Sequence, residues 1–291
     1  MITHLLNTLF LDYFNHYIMF ICGKFQLDLA NPRVMGIVNV TPDSFSDGGQ
    51  YASTKQAVAH ALQLVEEGAS LLDIGGESTR PGATPVSLDE ELERVIPVIE
   101  TLSNIVNIPL SIDTYKPQVM QAAIDAGISI VNDINALQAP TALEVVANSN
   151  VGVCLMHMQG SPQTMQIDPR YDDVVEEVSV FLTARLNVAI QAGIPSNRIL
   201  LDPGFGFGKR TVHNIALLKQ LKQLTIIGQP LLVGLSRKSV LGQVLGDNKT
   251  DRVAASIAAS VIAAINGANI LRVHDVKATV DALRVVAALQ S

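Results

Sequence analysis

A chain of 291 residues that is 48% hydrophobic and 16% charged has ample material for a large core and too little charge for disorder. Its net charge of −7 argues against a nucleic-acid partner, which needs a basic face to displace counterions, but leaves room for an anionic small ligand held by a few local cations. With no Trp, 4% aromatics and two cysteines, the core must be aliphatic and no disulfide framework can form, which places the chain in a reducing cytoplasm.

Six of the thirteen aromatics (Phe10, Tyr13, Phe14, Tyr17, Phe20 and Phe25) lie in the first 25 residues. Asn7, Asp12, Asn15 and His16 interrupt every run long enough to span a membrane, and the flanks of a secretory signal are missing. Three readings stay open for residues 1–24: a loosely docked extension, an amphipathic interaction helix, or sequence upstream of a start at Met19. Residues 25–291 read as one domain.

From Arg33 onward, short aliphatic runs alternate with longer amphipathic ones. The predicted strands are Val34–Val40, Leu71–Ile74, Leu110–Ile112, Ile128–Val131, Val151–Met156, Ile199–Leu201, Leu231–Val233 and Ile270–Val273. Thr54 is expected to open one helix that stops at Gly68, and Ser87 with Glu90 has the pattern of a capping box opening another. Pro97 should kink or shorten that second helix. The stretch Asp251–Ile265 is apolar nearly all round, so it is either covered within the fold or packed on another subunit.

Eight β-then-α units imply a single-domain (β/α)8 TIM barrel, with a doubly wound open sheet as the alternative. The strand ends separate the two. An open sheet binds at one switch point, whereas here every strand runs into polar or ionisable residues: Asn39, Asp73, Asp113, Asn132 with Asp133, Met156 with His157, Asp202, Ser236 with Arg237 and Lys238, and Arg272 with His274 and Asp275. A barrel collects such residues on one rim. The run Gly204–Lys209 looks superficially like a P-loop, but the glycine spacing is short and Arg210 stands where Ser or Thr is required.

The segments Gly36–Gly49, Glu77–Gly82, Asp202–Gly206 and Ser236–Ser239 together resemble the signature segments of dihydropteroate synthases, and the resemblance covers about residues 25–291 in unbroken order. That family joins 6-hydroxymethyl-7,8-dihydropterin diphosphate to 4-aminobenzoate and releases pyrophosphate. The resemblance implies that Asp113, Asn132, Asp202 and Lys238 grip the pterin edge, with Met156 and Phe207 lining its faces. It implies that Asn39, Thr79, Arg80, Arg272 and His274 serve the diphosphate, with Asn39 on magnesium, and that Phe45, Pro81, Ser236 and Lys238 surround 4-aminobenzoate. It also implies a homodimer built on the far side from the substrate loops.

Each of these residues has a plainer reading beside it. Asp113 and Asp202 could cap the next helix, Met156 could fill the core, and His274 could cap the last helix. Asp113, Asp202, Lys238, Arg80, Arg272 and His274 are the residues expected to act on the reaction, by positioning and electrostatics and without an obligatory general base. Rival readings are a pterin-binding methyltransferase, an aldolase using Lys238 as a Schiff base, and a pterin-binding protein without activity.

Overall fold

The computed structural model describes residues 19–41, 49–80, 82–247 and 251–290. Two short strands, β1 (Met19–Cys22) and β2 (Phe25–Asp28), form an antiparallel hairpin. There follow β3 (Arg33–Asn39), α1 (Gly49–Glu66), β4 (Leu71–Gly75), α2 (Leu88–Ile105), β5 (Leu110–Asp113), α3 (Pro117–Asp125), β6 (Ile130–Asp133), α4 (Ala142–Ala147) and β7 (Gly152–Met156). The chain continues through α5 (Val174–Gln191), β8 (Ile199–Asp202), α6 (Thr211–Lys219), β9 (Leu231–Val233), α7 (Ser239–Leu245), α8 (Val253–Ile265), β10 (Ala268–Val273) and α9 (Val276–Gln290).

Strands β3 to β10 close into a parallel barrel in the order β10-β3-β4-β5-β6-β7-β8-β9. The open-sheet alternative is thereby excluded, and the fold is a single-domain (β/α)8 barrel. Every predicted strand is present. Several run further than their aliphatic residues, ending on Gly75, Asp113, Asp133 and Asp202. The ladder bonds backbone to backbone and does not register whether the side chain is polar.

Period-two alternation sorts the side chains. Leu72, Ile74, Leu110, Ile112, Val131, Val153, Leu155 and Leu201 belong to the core between barrel and helices. Met35, Leu71, Ile130, Cys154, Leu200, Leu232 and Ile270 point inward and form a second cluster with Phe20, Cys22 and Leu29. The hairpin therefore plugs the N-terminal end of the barrel. A Cβ on Gly152 would lie 2.4 Å from Phe20 Cζ, so only glycine admits the plug. Residues 19–24, placed by the sequence reading in the N-terminal segment, supply β1 of this plug, while residues 1–18 lie outside the described residues. Cys22 and Cys154 are both buried free thiols.

Helix boundaries depart from expectation twice. α1 begins at Gly49 rather than Thr54, since extending a formed helix adds one bond per residue and no proline between them stops it. α2 runs unbroken through Pro97 for 18 residues, held by its buried Val95, Val98, Ile99 and Leu102. Ser87 Oγ accepts the Glu90 N–H at 3.2 Å as expected of a cap, but the Glu90 carboxylate pairs with Arg94.

Candidate active site

Two residues further along the inward face than the apolar plug, the side chains become polar. Asp73 on β4, Asn132 on β6, Asp202 on β8 and Arg272 on β10 succeed Leu71, Ile130, Leu200 and Ile270. The aliphatic floor thus carries a charged layer at the C-terminal mouth of the barrel.

Arg272 organises this layer. Its Nε donates to Asp73 Oδ2 at 2.5 Å and its Nη2 to Asp113 Oδ2 at 2.6 Å. Asp73 Oδ2 also accepts from Asn132 Nδ2 at 3.1 Å. Asp73 Oδ1 and Asp113 Oδ1 are buried without a protein partner. Burial pushes the Asp113 carboxyl up to about 7, Arg272 opposes the shift, and Asp73 adds to it. Asp113 does not cap the helix after β5: that helix starts at Pro117 with Lys116 as N-cap and no side-chain cap, and Thr114 Oγ1 accepts the Lys116 N–H at 3.2 Å.

Asp202 is buried, which raises its pKa, while Lys238 and the Gly204 N–H at 2.7 Å hold it down. Lys238, in the turn before α7, donates to the Phe205 carbonyl, and its Nζ lies 4.6 Å from the centre of the Phe207 ring. Burial lowers its pKa to about 8, and Asp202 acts against that shift. Asp202, Asp113 and Arg272 all act electrostatically on Lys238, so these four candidates share one site. Met156 ends β7 opposite Asp202 and is buried.

His274 follows β10. Its backbone N–H donates to Ser236 Oγ at 3.1 Å, and that hydroxyl lies 3.0 Å from His274 Nδ1. The Ser236 hydroxyl thus bridges the His274 backbone and its ring, which fixes the orientation of the imidazole. Burial and then Arg272 lower the His274 pKa to about 4, so the ring is neutral. Arg80 is exposed on the loop after β4, and its charge also reaches His274. Asn39 ends β3, half-buried, beside Gly75 in the ladder, and Thr79 is half-buried on the same loop as Arg80. Phe45 and Pro81 lie outside the described residues.

Residues 35–274 match the family described as pterin binding enzyme. The dihydropteroate synthase of Escherichia coli (strain K12) is 52% identical over 266 residues, 91% of this chain and 94% of that protein.

The chain belongs to the dihydropteroate synthase family.

Two solved dihydropteroate synthases from Xanthomonas albilineans superpose closely. One, with 4-aminobenzoic acid, has a TM-score of 0.89 at 55% identity and covers 94% of this chain and 99% of its own. The other, in complex with 7,8-dihydropteroate, has a TM-score of 0.84 at 49% identity and covers 94% and 98%.

Within this dihydropteroate synthase fold, sequence reasoning left several residues without a role. Asp73 was visible as a carboxylate inside an aliphatic run, but its partner sits 199 positions away. Lys209 is almost fully buried, with its Nζ 2.8 Å from His157 Nδ1, 2.9 Å from the Gly204 carbonyl and 3.0 Å from the Phe207 carbonyl. The glycine run once compared with a P-loop therefore wraps a lysine of its own. Gly204 is essential to it, because its φ is +68° and a Cβ there would meet the His157 carbonyl oxygen at 1.8 Å. Burial and then Lys209 drive the His157 pKa down to about 3, so that imidazole is neutral.

Proposed function

We propose that the chain catalyses the dihydropteroate synthase reaction, joining 6-hydroxymethyl-7,8-dihydropterin diphosphate to 4-aminobenzoate with release of pyrophosphate. The observation that carries this reading is the charged mouth itself. Asp113, Asn132, Asp202, Lys238 and Arg272 are gathered over an aliphatic floor, in a family whose solved members include one with 7,8-dihydropteroate bound.

An aminopyrimidinone edge offers N–H donors to Asp113 and Asp202, while Asn132 and Lys238 meet its acceptor atoms. Met156 and Phe207 bound the ring faces. Arg272 holds Asp113 in place with two of its nitrogens already committed to carboxylates. Neutral His274, held by Ser236, faces the diphosphate beside Thr79 and Arg80. The methylene carbon–oxygen bond breaks, and its electron pair leaves with the diphosphate. Asp113 and Asp202 stabilise the cation conjugated with the pterin. The arylamine lone pair, uncharged at neutral pH, then forms the new carbon–nitrogen bond, and the amine proton passes to water or to the departing diphosphate. Ser236 and Lys238 flank the 4-aminobenzoate.

Among the described residues, no group of three or more His, Cys, Asp or Glu is arranged to hold a metal by itself. A single amide oxygen from Asn39, together with diphosphate oxygens, suits magnesium, which keeps most of its waters and takes few protein ligands. The residues present therefore fit an ion that arrives with the diphosphate and is held by Asn39. When bound, magnesium supplies neutralisation of the leaving group's charge.

A homodimer fits the face formed by α8 and α9, where Ile262, Ile265, Val285 and Leu289 are all exposed. No described helix is long and apolar enough to cross a membrane, and the two free thiols suit a reducing cytoplasm.

The test is pyrophosphate release by the purified chain. Release that depends on both 4-aminobenzoate and the pterin diphosphate supports the reading, and release indifferent to 4-aminobenzoate overturns it.

A further inference from the structure

Beside the mouth lies an ionic cluster to which the reaction assigns no role. Glu77, two residues before Thr79, is its hub. Glu77 Oε1 accepts from the Tyr115 hydroxyl at 3.0 Å and from the Val86 N–H at 3.3 Å. Glu77 Oε2 accepts from Lys116 Nζ at 2.5 Å. The same ammonium reaches Glu91 Oε2 on α2, also at 2.5 Å. Glu91 is fully buried, and its Oε1 has no partner. Arg94, on the next turn of α2, donates to the Gly76 carbonyl at 2.6 Å.

One carboxylate thus ties both ends of the loop, at 77 and at 86, to the turn that follows β5. That turn begins with Asp113, three residues before Lys116. Two nearly buried carboxylates against one ammonium are a costly way to hold a scaffold, because apolar residues of the same volume stabilise as well or better. What the ionic arrangement supplies is direction. Each bond fixes the loop's register relative to the strand end that carries the pterin carboxylate.

We propose that Lys116, acting through Glu77, is a positioning residue that sets Thr79 and Arg80 for the diphosphate and ties that loop to the Asp113 turn. The proposal rests on the dihydropteroate synthase reading. Lys116 touches no substrate. Without it, Glu77 and Glu91 face each other uncompensated, and Glu77, the one carried on a loop, swings away with that loop.

The experiment uses the full chain and two calorimetric probes, pyrophosphate with magnesium and unphosphorylated 6-hydroxymethylpterin. In Lys116→Met, pyrophosphate binding should weaken by about tenfold or more, because misplacing contact groups by an ångström is costly. Binding of the unphosphorylated pterin should stay within about twofold, since Asp113, Asn132 and Asp202 end strands and Lys238 and Phe207 lie on other loops. Adding Glu91→Gln should recover part of the pyrophosphate affinity by removing the stranded buried charge. Tyr115→Phe, which deletes one hydroxyl and leaves the ion pairs, should move pyrophosphate binding in the same direction by less, and it serves if Lys116→Met does not fold. Equal loss of both ligands, or unchanged pyrophosphate affinity in both variants, overturns the proposal. Wild-type protein that releases no pyrophosphate with 4-aminobenzoate present would instead overturn the functional reading, which these binding measurements do not require.

Discussion

Arg272 and Asp113 are joined at 2.6 Å, and the same guanidinium holds Asp73 at 2.5 Å, so one cation serves two carboxylates contributed by β4 and β5. Asp113→Asn keeps the shape and removes the charge, while Asp73 continues to pair with Arg272. Turnover should fall by about a hundredfold or more, as when a group stabilising developing charge is lost. The variant should still unfold cooperatively near the wild-type temperature. Near-normal turnover in a folded Asp113→Asn protein would remove its cation-stabilising role.

Arg272→Met poses the opposite problem, because it strands two nearly buried carboxylates. The cost should be about 3–5 kcal/mol of stability, measured by urea unfolding. Adding Asp73→Asn should return part of it, and a single variant as stable as wild type would mean that water already screens the pair.

Asp113, with its carboxyl pushed up to about 7, makes pterin binding depend on pH. Only the ionised form accepts hydrogen bonds on both oxygens, so affinity for an uncharged pterin should drop as pH falls from about 8 to about 6, by up to about tenfold per unit. The linked stability effect has the opposite sign. The folded protein holds a proton on Asp113 that the unfolded chain, near 3.8, has released. Stability contributed by this group is therefore fully present below about 4 and is lost as pH rises through about 7. In Asp113→Asn the pterin affinity should be flat across this range; a retained slope would assign the titration to another group.

Ser236 and His274 make a separable pair. Ser236→Ala deletes the hydroxyl that bridges the His274 ring and backbone N–H, and so frees the imidazole to turn. The KM for the pterin diphosphate should rise by about tenfold, in line with loss of one oriented charge-assisted bond. Steady-state kinetics reads this directly, and an unchanged KM would mean that the serine does not orient the ring.

Asn39→Ala should weaken the diphosphate substrate while leaving pyrophosphate-free pterin binding intact, and chelation of divalent ions should abolish turnover of wild-type protein. Full activity in chelator would count against a metal at this position.

The α8–α9 face offers a charge test. Ile265→Lys places an ammonium in the groove formed with Ala282, Val285 and Leu289, and should convert a dimer to a monomer in sedimentation at micromolar concentration. A wild-type monomer under the same conditions would put the contact elsewhere or exclude it.

The eight barrel strands, three of the helices between them and the polar C-terminal rim were readable from the chain, because each rests on local signals: aliphatic runs, helical spacing and the residue that follows each run. The resemblance to dihydropteroate synthases was equally local, carried by four short segments. Tertiary structure decided the pairings. Asp73 meets Arg272 across 199 positions only because β10 closes against β3 and brings the last strand beside the first of the barrel. Glu77 meets Lys116 across 39 positions, and Lys209 meets His157 across 52. The plug was likewise hidden, since Phe20 lies in an aromatic stretch with no periodicity of its own, and its burial depends on the small residue at Gly152 on a distant strand. Local chemistry along a chain specifies which groups can ionise, donate or pack. Which of them lose water together is set by barrel closure, and that shared desolvation is what moves Asp113, Lys238 and His274 from their ordinary pKa values.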